Sequence, residues 1–557
     1  MTNDHMGFPK TVTRRRLLAA SAIGGGAALA FLAACSGKAD EAGSDAGADV
    51  ANTLTQSTAE PKRGGLVRAN MGAQNVFLDP HMTALPGVSW LWGNVSHHLV
   101  EVNANREITD EGLAASWETP DALTLTFKLH DGIAFHDVAP ANGRAMTVED
   151  VIYSIERIRT PDPQFARRSL FEAIDKMEAT DPRTLKVTLK RPYVPQMFYF
   201  GSGWAFIVNR ETVEKYGDLK GPEGAIGVGP FILEPGYTKE QGGKLRRNPN
   251  YFRAGLPYLD NVDLMVFQDA QTAQSAFTAG QLEIMGINAD ARRIVSGAVR
   301  GAQFAPVSHG GRRYSVELNV KRPPFDDARF RKAVHLALNR QEIVSLGWGD
   351  EGDLLGGIPP SMGDFAIPAA ELEQMPGYRA NKDEDLAEAK KLLAAAGLEN
   401  VEVEWFDTEL AIPSGQIVPP QLQKIGIRSK VNRVEYGAYK TAENNREYGA
   451  FFGGYTVDAE PDAVLRVYSY STGSRNYNEN ADPRIDQMID AQVSEVDTKR
   501  RAQLVQELQR YMIETNAEHL LANGRTFKAL QAQVRGFLVP PWSDSDRQDL
   551  TRTWLDT

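Results

Sequence analysis

The sequence predicts an α/β protein with more than one lobe, and three observations support that prediction. About 500 residues follow a segment of small and polar residues, a length that exceeds one core of ordinary domain size. Apolar and polar residues alternate in segments 123–129 and 184–189, which is typical of half-buried strands. In the second half of the chain, helical and strand-like segments follow one another at the spacing of an α/β lobe.

Local signals predict the individual elements. Residues 66–69 form a first predicted strand, and Thr147 precedes a predicted helix because acids and helical apolar spacing follow it. Aspartates at 326–327 place negative charge at the positive end of another amphipathic helix. Gly397 ends the next helix, 383–396, as a left-handed C-cap. The remaining predicted elements are strands 401–405 and 427–434, a helix over 416–424 and a mostly helical segment, 486–516.

The N-terminal segment has the features of an export signal. Arg14 and Arg15 precede two leucines and an apolar stretch, which resembles a twin-arginine signal, and the LAAC sequence ending at Cys35 resembles a lipoprotein lipobox. We therefore expect residues 1–34 to be removed and Cys35 to carry a lipid that holds the protein to a membrane. The alternative is a transmembrane anchor over residues 17–34, although this stretch is rich in Gly and Ala and weakly hydrophobic. Both interpretations place the folded part outside the cytoplasm, in the periplasm or at the cell surface.

Charge and cysteine content exclude some functions. Residues 35–60 are mostly small and polar, which predicts a flexible tether. The formal net charge is -11, and removal of residues 1–34, with four basic residues and one acid, lowers it to -14. An acidic body of this kind argues against nucleic acid as a partner. Cys35 is the only cysteine, so no disulfide can form within the chain.

No motif in the sequence predicts catalysis or a bound cofactor. The chain has no Gly-x-Ser-x-Gly, no phosphate-binding loop and no His-Glu-x-x-His, and its cysteine is assigned to lipidation. His97 and His98 are the only adjacent histidines, and sequence neighbours do not share a helix face, so they form a weak metal pair. Residues 458–462 begin like a calcium loop, but Ala463 and Ser469 occupy the positions that need Gly and Glu. We therefore predict no catalytic residue, no metal and no cofactor.

Short blocks rich in Gly, Pro, Asp and aromatic residues are spread along the chain, and many of them fix backbone turns. They are 64–68 (GGLVR), 78–81 (LDPH), 113–118 (LAASWE), 127–137 (FKLHDGIAFHD), 147–151 (TVEDV), 227–231 (GVGPF), 247–252 (RNPNYF), 257–260 (PYLD), 324–333 (PFDDARFRKA), 396–398 (AGL) and 480–486 (NADPRID). In this order the blocks resemble the bacterial extracellular solute-binding proteins of family 5, the receptors of ABC importers for peptides, nickel and oligosaccharides. The resemblance covers nearly all of residues 61–557.

This resemblance implies a two-lobed, periplasmic-binding-protein-like fold of type II, cluster C, with an extra subdomain inserted in lobe I. The ligand is expected between the lobes, which close around a hinge of two crossing strands. The crossings are expected near 306–314 and 520–528. The implied parts are lobe I at 61–110, 225–310 and 525–557, the inserted subdomain at 111–224, and lobe II at 311–524.

The resemblance also indicates where a ligand is held. In the peptide-binding branch of the family, an aspartate shortly after a Trp of the second lobe pairs with the peptide's amino terminus. The matching place here contains Tyr455 and Asp458, so Asp458 is a candidate for contact with a cation or hydroxyl. The alternative is a loop acid that caps the turn before Pro461. Tyr455 stands where the family has Trp, and this departure leaves peptide specificity open.

Further candidates are aromatic residues and arginines. Aromatic faces suit peptide side chains, sugar rings and cations, while core packing is the alternative for each. The aromatic candidates are Trp90 and Trp92 after a Pro-Gly turn, Trp204, and Trp405 at the end of a strand. Arg475 and Asn476 follow Gly-Ser and are candidates for a carboxylate or hydroxyls, whereas Arg312 and Arg313 at the first crossing either neutralise an anion or lie at the surface.

Three functions are compatible with the sequence. The first is a monomeric binding receptor that captures a small solute and delivers it to a membrane permease driven by ATPase subunits. The second is a secreted hydrolase that uses paired acids, and the third is a lipoprotein that kept the fold but lost transport. Within the receptor class, an oligopeptide or similar amino compound is the expected solute, with oligosaccharides, opines and metal chelates as alternatives.

Overall fold

The structure is a computed structural model that describes residues 59–72, 77–83, 86–103, 106–162, 164–165, 167–349, 351–408, 414–455, 460–516, 518–538 and 549–557. Its strands are β1 (Leu66–Asn70), β2 (Glu101–Val102), β3 (Ile108–Thr109), β4 (Ala114–Asp121), β5 (Thr124–Leu129), β6 (Ile174–Asp181), β7 (Thr184–Leu189), β8 (Phe231–Leu233), β9 (Gly242–Arg247), β10 (Asn261–Met265), β11 (Ile284–Ile287), β12 (Gln303–Leu318), β13 (Gly352–Asp353), β14 (Glu402–Asp407), β15 (Arg428–Arg433), β16 (Ala450–Tyr455), β17 (His519–Leu530), β18 (Val534–Arg535) and β19 (Trp554–Leu555).

Helices connect most of these strands. The α-helices are α1 (Pro86–Val95), α2 (Val148–Ile158), α3 (Gln196–Tyr199), α4 (Arg210–Tyr216), α5 (Ala270–Thr278), α6 (Ala289–Ala298), α7 (Ala328–Ala337), α8 (Arg340–Trp348), α9 (Ala369–Leu372), α10 (Asp383–Ala396), α11 (Ser414–Gln423), α12 (Tyr436–Asn445), α13 (Pro461–Tyr468), α14 (Pro483–Val493) and α15 (Thr498–Thr515). Short 3-10 helices span Arg168–Phe171, Pro222–Gly224 and Pro360–Phe365.

One 11-stranded sheet passes through the whole molecule in the order β15, β14, β16, β12, β17, β11, β1, β10, β9, β8, with β13 paired to β17. Its centre is the long antiparallel pair β12–β17. We call the strands on the β11 side of this pair, with their helices, lobe I, and those on the β16 side lobe II. The predicted crossings, 306–314 and 520–528, fall within β12 and β17, while the predicted lobe boundaries stay a prediction.

A four-stranded antiparallel sheet, in the order β4, β5, β7, β6, lies within the segment predicted as an insert. Alternate residues of β5, namely Leu125, Phe127 and Leu129, are buried in its core, and α2 contributes Val151 and Ile155. We call this sheet together with α2 and α3 the inserted subdomain. The alternation read from the sequence is therefore confirmed for β5, because one face of the strand is covered and the other is not.

The elements predicted in lobe II are confirmed as well. Helix α10 has the predicted bounds, and Gly397 ends it with φ 68, a left-handed conformation that glycine adopts without strain. Strands β14, β15 and β16 are parallel, so their carboxyl ends lie at the same edge of the sheet. Two helices, α14 and α15, cover most of the predicted helical segment 486–516, and α14 begins before it, at Pro483.

Candidate functional site

A buried carboxylate lies where the inserted subdomain meets lobe II. Asp462, in the first turn of α13, is fully buried. From the inserted subdomain it accepts hydrogen bonds from the hydroxyls of Tyr193 and Tyr199, the latter at 2.9 Å. From lobe II it accepts bonds from Gln492 Nε2 at 2.9 Å and Arg466 Nε at 3.3 Å. Burial and the negative charge of Asp462 raise the pKa of both tyrosines well above the ordinary value, so both remain protonated donors.

Backbone and apolar contacts surround this carboxylate. The amide of Val194 donates to the carbonyl of Val493 at 2.8 Å, and Ser494 Oγ donates to the carbonyl of Pro192 at 3.2 Å. Ala463 and Val493 of lobe II belong to the apolar core of the inserted subdomain. The two parts are therefore joined by a contact that is packed like an interior, with the polar groups of Asp462 satisfied within it.

A cavity borders this contact, and its volume is about 630 Å³. The cavity lies between the inserted subdomain, which contributes Arg168, Glu172 and Arg191, and lobe II, which contributes Arg466 and Asp490. Its size is in the range of small-molecule sites, and its lining carries charges of both signs.

A second contact between the lobes involves two arginines and one aromatic ring. Arg106, which follows β2 in lobe I, donates to the carbonyl of Met362 at 3.0 Å. Its guanidinium lies 4.9 Å from the centre of the Phe365 ring, and the guanidinium of Arg501 lies 5.3 Å from the same ring. Arg501 forms a buried ion pair with Glu460, the N-cap of α13. Lobe I thus touches lobe II on both sides of the start of α13.

A buried polar network ties the crossing strands together. Arg313 of β12 pairs with Glu518, just before β17, at 2.9 Å. Glu317 of β12 accepts from Ser315 Oγ at 2.5 Å and from Asn478 Nδ2 at 2.6 Å. Burial raises the pKa of Glu317 to about 7, although the charge of Arg313 acts in the opposite direction. The network therefore contains an acid that titrates near neutral pH at the junction of the lobes.

Tyrosines gather at the carboxyl end of β16. Tyr455 ends that strand, and its ring centre lies 5.1 Å from that of Tyr477 and 5.0 Å from that of Tyr468. Glu443 of α12, which is buried, accepts hydrogen bonds from the hydroxyls of Tyr455 at 3.3 Å and Tyr477 at 3.1 Å, and it pairs with Lys440. Sequence reasoning did not find Lys440 or Glu443, because a charged residue on a helix looks like part of a solvated face.

The structure brings together three of the predicted site residues, Tyr455, Arg475 and Asn476. Arg475 donates to the Tyr468 hydroxyl at 3.3 Å, while the amide of Asn476 donates to the carbonyls of Tyr470 at 3.1 Å and Asn480 at 2.6 Å. Asn476 therefore stabilises the conformation of the loop to which it belongs. Asp458 lies outside the described residues, as do Arg14, Arg15 and Cys35.

The predicted tryptophans lie apart from this group. Trp90 stacks on Phe537 in the core of lobe I, and Trp92 is fully buried there and donates to the carbonyl of Leu78 at 2.7 Å. Trp405 is fully buried in lobe II, stacked on a phenylalanine of β16. Trp204 is half-buried beneath the guanidinium of Arg167 at 5.2 Å. Burial of the first three favours a packing role, and a ligand role stays a prediction for each.

The structure describes the side chain of only one of the two arginines at the first crossing. Arg313 is buried in the polar network above, so the surface alternative does not hold for it. The backbone of Arg312 lies in β12, and its side chain lies outside the described part of the chain.

Among the described residues, no group of three His, Cys, Asp or Glu side chains is arranged to hold a metal ion. No helix in the described ranges is long and apolar enough to cross a membrane.

A family profile decides the class of the protein. The profile of the bacterial extracellular solute-binding proteins, family 5 Middle, matches residues 110–477, about two thirds of the chain. The chain belongs to this family. It is a solute-binding receptor of an ABC importer, of an extracytoplasmic class whose members bind substrates rather than act as enzymes.

Curated relatives agree with this assignment. The probable di/tripeptide-binding protein 5 of Pseudomonas aeruginosa (strain UCBPP-PA14) is 24% identical over 490 residues, 82% of this chain and 89% of the relative. The glutathione-binding protein GsiB of Salmonella typhi is 26% identical over 375 residues, 65% of this chain and 68% of the relative. The dipeptide-binding protein of Escherichia coli (strain K12) is 23% identical over 481 residues, 80% of this chain and 86% of the relative.

Solved structures confirm the two-lobed fold. The periplasmic binding protein DppA from Helicobacter pylori, in complex with the peptide STSA, matches with a TM-score of 0.76 at 22% identity, over 89% of this chain and 99% of that chain. A dipeptide-binding protein from Pseudoalteromonas sp. SM9913, in complex with Met-Leu, matches with a TM-score of 0.76 at 17% identity, over 88% of this chain and 100% of that chain. The α/β fold class expected from the sequence is therefore confirmed.

Proposed function

We propose that this receptor captures a short peptide, or a related amino compound, between its lobes and delivers it to a membrane permease driven by ATPase subunits. Support comes from the relatives, whose names describe binding of dipeptides, tripeptides and glutathione. These solutes share an amino group and a carboxylate. A receptor for them needs anionic and cationic groups within one closed space.

The observation that carries the proposal is the contact at Asp462. Two tyrosines of the inserted subdomain and two side chains of lobe II donate to one buried carboxylate. A hydrogen bond to a charged group is worth about 1.5–3 kcal/mol, so this contact stabilises the approach of the two parts. Beside it lies the cavity of about 630 Å³ with charges of both signs. A solute enclosed next to this contact is held while the lobes remain together.

Asp458 is the proposed partner of the solute's ammonium group. Four residues join Tyr455, at the carboxyl end of β16, to Glu460, the N-cap of α13. Both ends of that connection lie beside the contact between lobe II and lobe I. A carboxylate facing an ammonium group in a space without bulk water forms a strong, charge-assisted hydrogen bond.

The proposal includes the setting of the receptor. Export directed by Arg14 and Arg15, a lipid on Cys35 and a flexible tether over residues 35–60 place a monomeric receptor on a membrane surface outside the cytoplasm. The tether lets the folded part move between the solute and the permease. Globomycin treatment of expressing cells tests this part, because it blocks processing at a lipidated cysteine, and Cys35→Ala should release the protein.

The binding experiment uses the protein from residue 36 onward and two probes, trialanine and N-acetyl-trialanine. Native mass spectrometry first detects any retained solute, and titration calorimetry then gives the two affinities. We expect acetylation to weaken binding about tenfold or more, because it removes the ammonium charge. Asp458→Asn should abolish this preference, and Asp175→Asn, which changes an exposed acid on β6, should preserve it.

Other outcomes separate the alternatives. Failure of the unmodified protein to bind trialanine, together with binding of an opine, an oligosaccharide or a nickel chelate, would replace the peptide by that solute. Hydrolysis of any probe during incubation would contradict the receptor assignment in favour of a secreted hydrolase. An equal acetylation effect in Asp458→Asn and the unmodified protein would remove Asp458 from the site.

A further inference from the structure

Three cationic side chains lie together beside the tyrosines at the end of β16. Lys440 extends from the second turn of α12, Arg446 follows the end of that helix, and Arg475 belongs to the loop between α13 and α14. Burial, together with the nearby charges of Arg475 and Arg446, lowers the pKa of Lys440 to about 7. The three positive groups are therefore close enough to repel one another.

Within the described ranges, only one carboxylate forms an ion pair with any of these three cations. Glu443 pairs with Lys440. Arg446 donates to the backbone carbonyls of Glu443 at 2.8 Å and Ser474 at 3.4 Å, and Arg475 donates to the Tyr468 hydroxyl at 3.3 Å. Neither arginine forms an ion pair with any residue in the described part of the chain. Among the described residues the cluster thus holds excess positive charge, in a protein whose net charge is -11.

The side chains of this cluster are partly exposed. The side chain of Lys440 is 31% exposed, and Arg475 is half-buried. Partly buried cations are stabilised when an anion supplies the missing charge and hydrogen bonds.

The neighbouring groups are donors. An ammonium group and a guanidinium have N–H donors and no acceptor, and Arg475 uses one of its donors on the hydroxyl of Tyr468. Such a set matches the acceptor oxygens of a carboxylate. The stacked rings of Tyr455 and Tyr477 close one side of the cluster and offer apolar surface beside it.

We propose that Lys440 and Arg475 form a subsite for an anionic group of the solute, such as the terminal carboxylate of a peptide. This inference rests on the proposed function, and it makes the two residues determinants of specificity for anionic solutes. Arg446 holds the loop that carries Arg475, through its bond to Ser474, and it is a positioning residue.

The experiment compares trialanine with trialanine amide by titration calorimetry at constant ionic strength. We expect Arg475→Gln and Lys440→Met to weaken binding of trialanine about tenfold and binding of the amide less than twofold. Arg475→Lys keeps the charge and should recover most of the affinity for trialanine. The matched controls are Arg428→Gln and Lys430→Met, which change exposed cations of β15 in the same lobe, and these should alter neither affinity.

A second measurement keeps this inference separate from the peptide proposal. Glutarate, a bare dicarboxylate, is titrated against the unmodified protein and both variants while the midpoint of thermal unfolding is followed. Stabilisation of the unmodified protein alone supports the anion subsite even where trialanine fails to bind, an outcome that would contradict only the peptide proposal. Equal responses of Arg475→Gln, Lys440→Met and the unmodified protein to glutarate, and to both peptides, would overturn the subsite.

Discussion

Strand β16 presents alternate residues to two cores of lobe II that differ in chemistry. Ala450 and Phe452 face a core of aliphatic and aromatic side chains beneath α7, α8, α10 and α11, where Trp405 stacks on Phe452. Phe451 and Tyr455 face the other core, which contains five buried tyrosines and adjoins Glu443, Asp462 and the ion pair between Glu460 and Arg501. We call these the apolar core and the tyrosine core.

This difference in chemistry predicts which substitutions lower the stability of the protein and which alter its binding of a solute. Apolar burial is non-directional, so the apolar core stabilises lobe II without regard to the position of lobe I or the presence of a solute. Hydroxyls and charges need partners in defined directions, and for Asp462, beside the tyrosine core, two of those partners, Tyr193 and Tyr199, come from the inserted subdomain. Changes in the apolar core should therefore lower stability, whereas changes in the tyrosine core should alter binding and contact between the lobes.

The largest effect is expected in the apolar core. Trp405→Ala should lower the free energy of unfolding by about 4 kcal/mol, because it removes a fully buried ring and leaves a cavity. Urea denaturation measures this loss, and calorimetry with trialanine on the folded variant should give an unchanged affinity. A loss of affinity without loss of stability would instead identify Trp405 as a ligand contact, as the sequence suggested.

The next effect concerns the buried ion pair beside the tyrosine core. The side chains of Arg501 and Glu460 are 3% and 1% exposed. Arg501→Met should lower the free energy of unfolding by about 3 kcal/mol, since it leaves a buried carboxylate without its partner. The control is Arg500→Met on the same helix, whose partner Glu507 is 49% exposed, and it should cost less than about 1 kcal/mol. Similar losses in both variants would refute a special role for burial.

A smaller effect depends on pH and on Glu317, which faces Arg313, Ser315, Asn478 and Glu518. Its pKa in the folded protein, about 7, lies above the ordinary value of 4.5. Its contribution to stability is therefore present below about pH 4.5 and is lost as the pH rises to 7, because the folded state then holds the proton more tightly than the unfolded state.

Urea denaturation at pH 5 and pH 8 tests this expectation against Glu317→Gln, which removes the titration. Relative to the variant, the unmodified protein should lose about 2–3 kcal/mol of unfolding free energy between the two pH values. Parallel pH profiles of the two proteins would show that Glu317 titrates normally. Buried histidines act in the opposite direction in both proteins, since burial lowers the pKa of His519 to about 3, and they cancel in the comparison.

The smallest effect is expected from one hydroxyl. Tyr199→Phe removes the 2.9 Å hydrogen bond to Asp462 and should weaken trialanine binding by about 1–2 kcal/mol, because contact between the lobes becomes less favourable. Small-angle scattering should show a larger radius of gyration for the variant with trialanine present. Tyr511→Phe is the control, since Tyr511 donates to Asp482 within lobe II at 2.9 Å, and an equal effect there would argue against a role for contact between the lobes.

The sequence predicted elements well where local signals are strong. The alternation of β5 and the acidic start and Gly397 end of α10 are properties of neighbouring residues, and both elements have nearly the expected bounds. The contacts of the candidate site could not be predicted from local sequence patterns in the same way. Tyr193 lies 269 residues from Asp462, so no local pattern indicates their hydrogen bond. Trp90 and Trp405 were candidates for ligand contact or for core packing, because sequence does not tell a buried ring from an exposed one.

The sequence by itself determined the class of this protein, since its ordered blocks identify the family, and it determined the short-range elements, since their caps and periodicity lie within a few residues. Only the tertiary structure decided which charges are buried and what they meet. Asp462, Glu443 and Lys440 are ordinary charged residues on helices until folding brings tyrosines and arginines from distant segments around them. Burial then makes their hydrogen bonds strong and their unpaired charges costly, and both effects depend on neighbours that the local sequence does not contain.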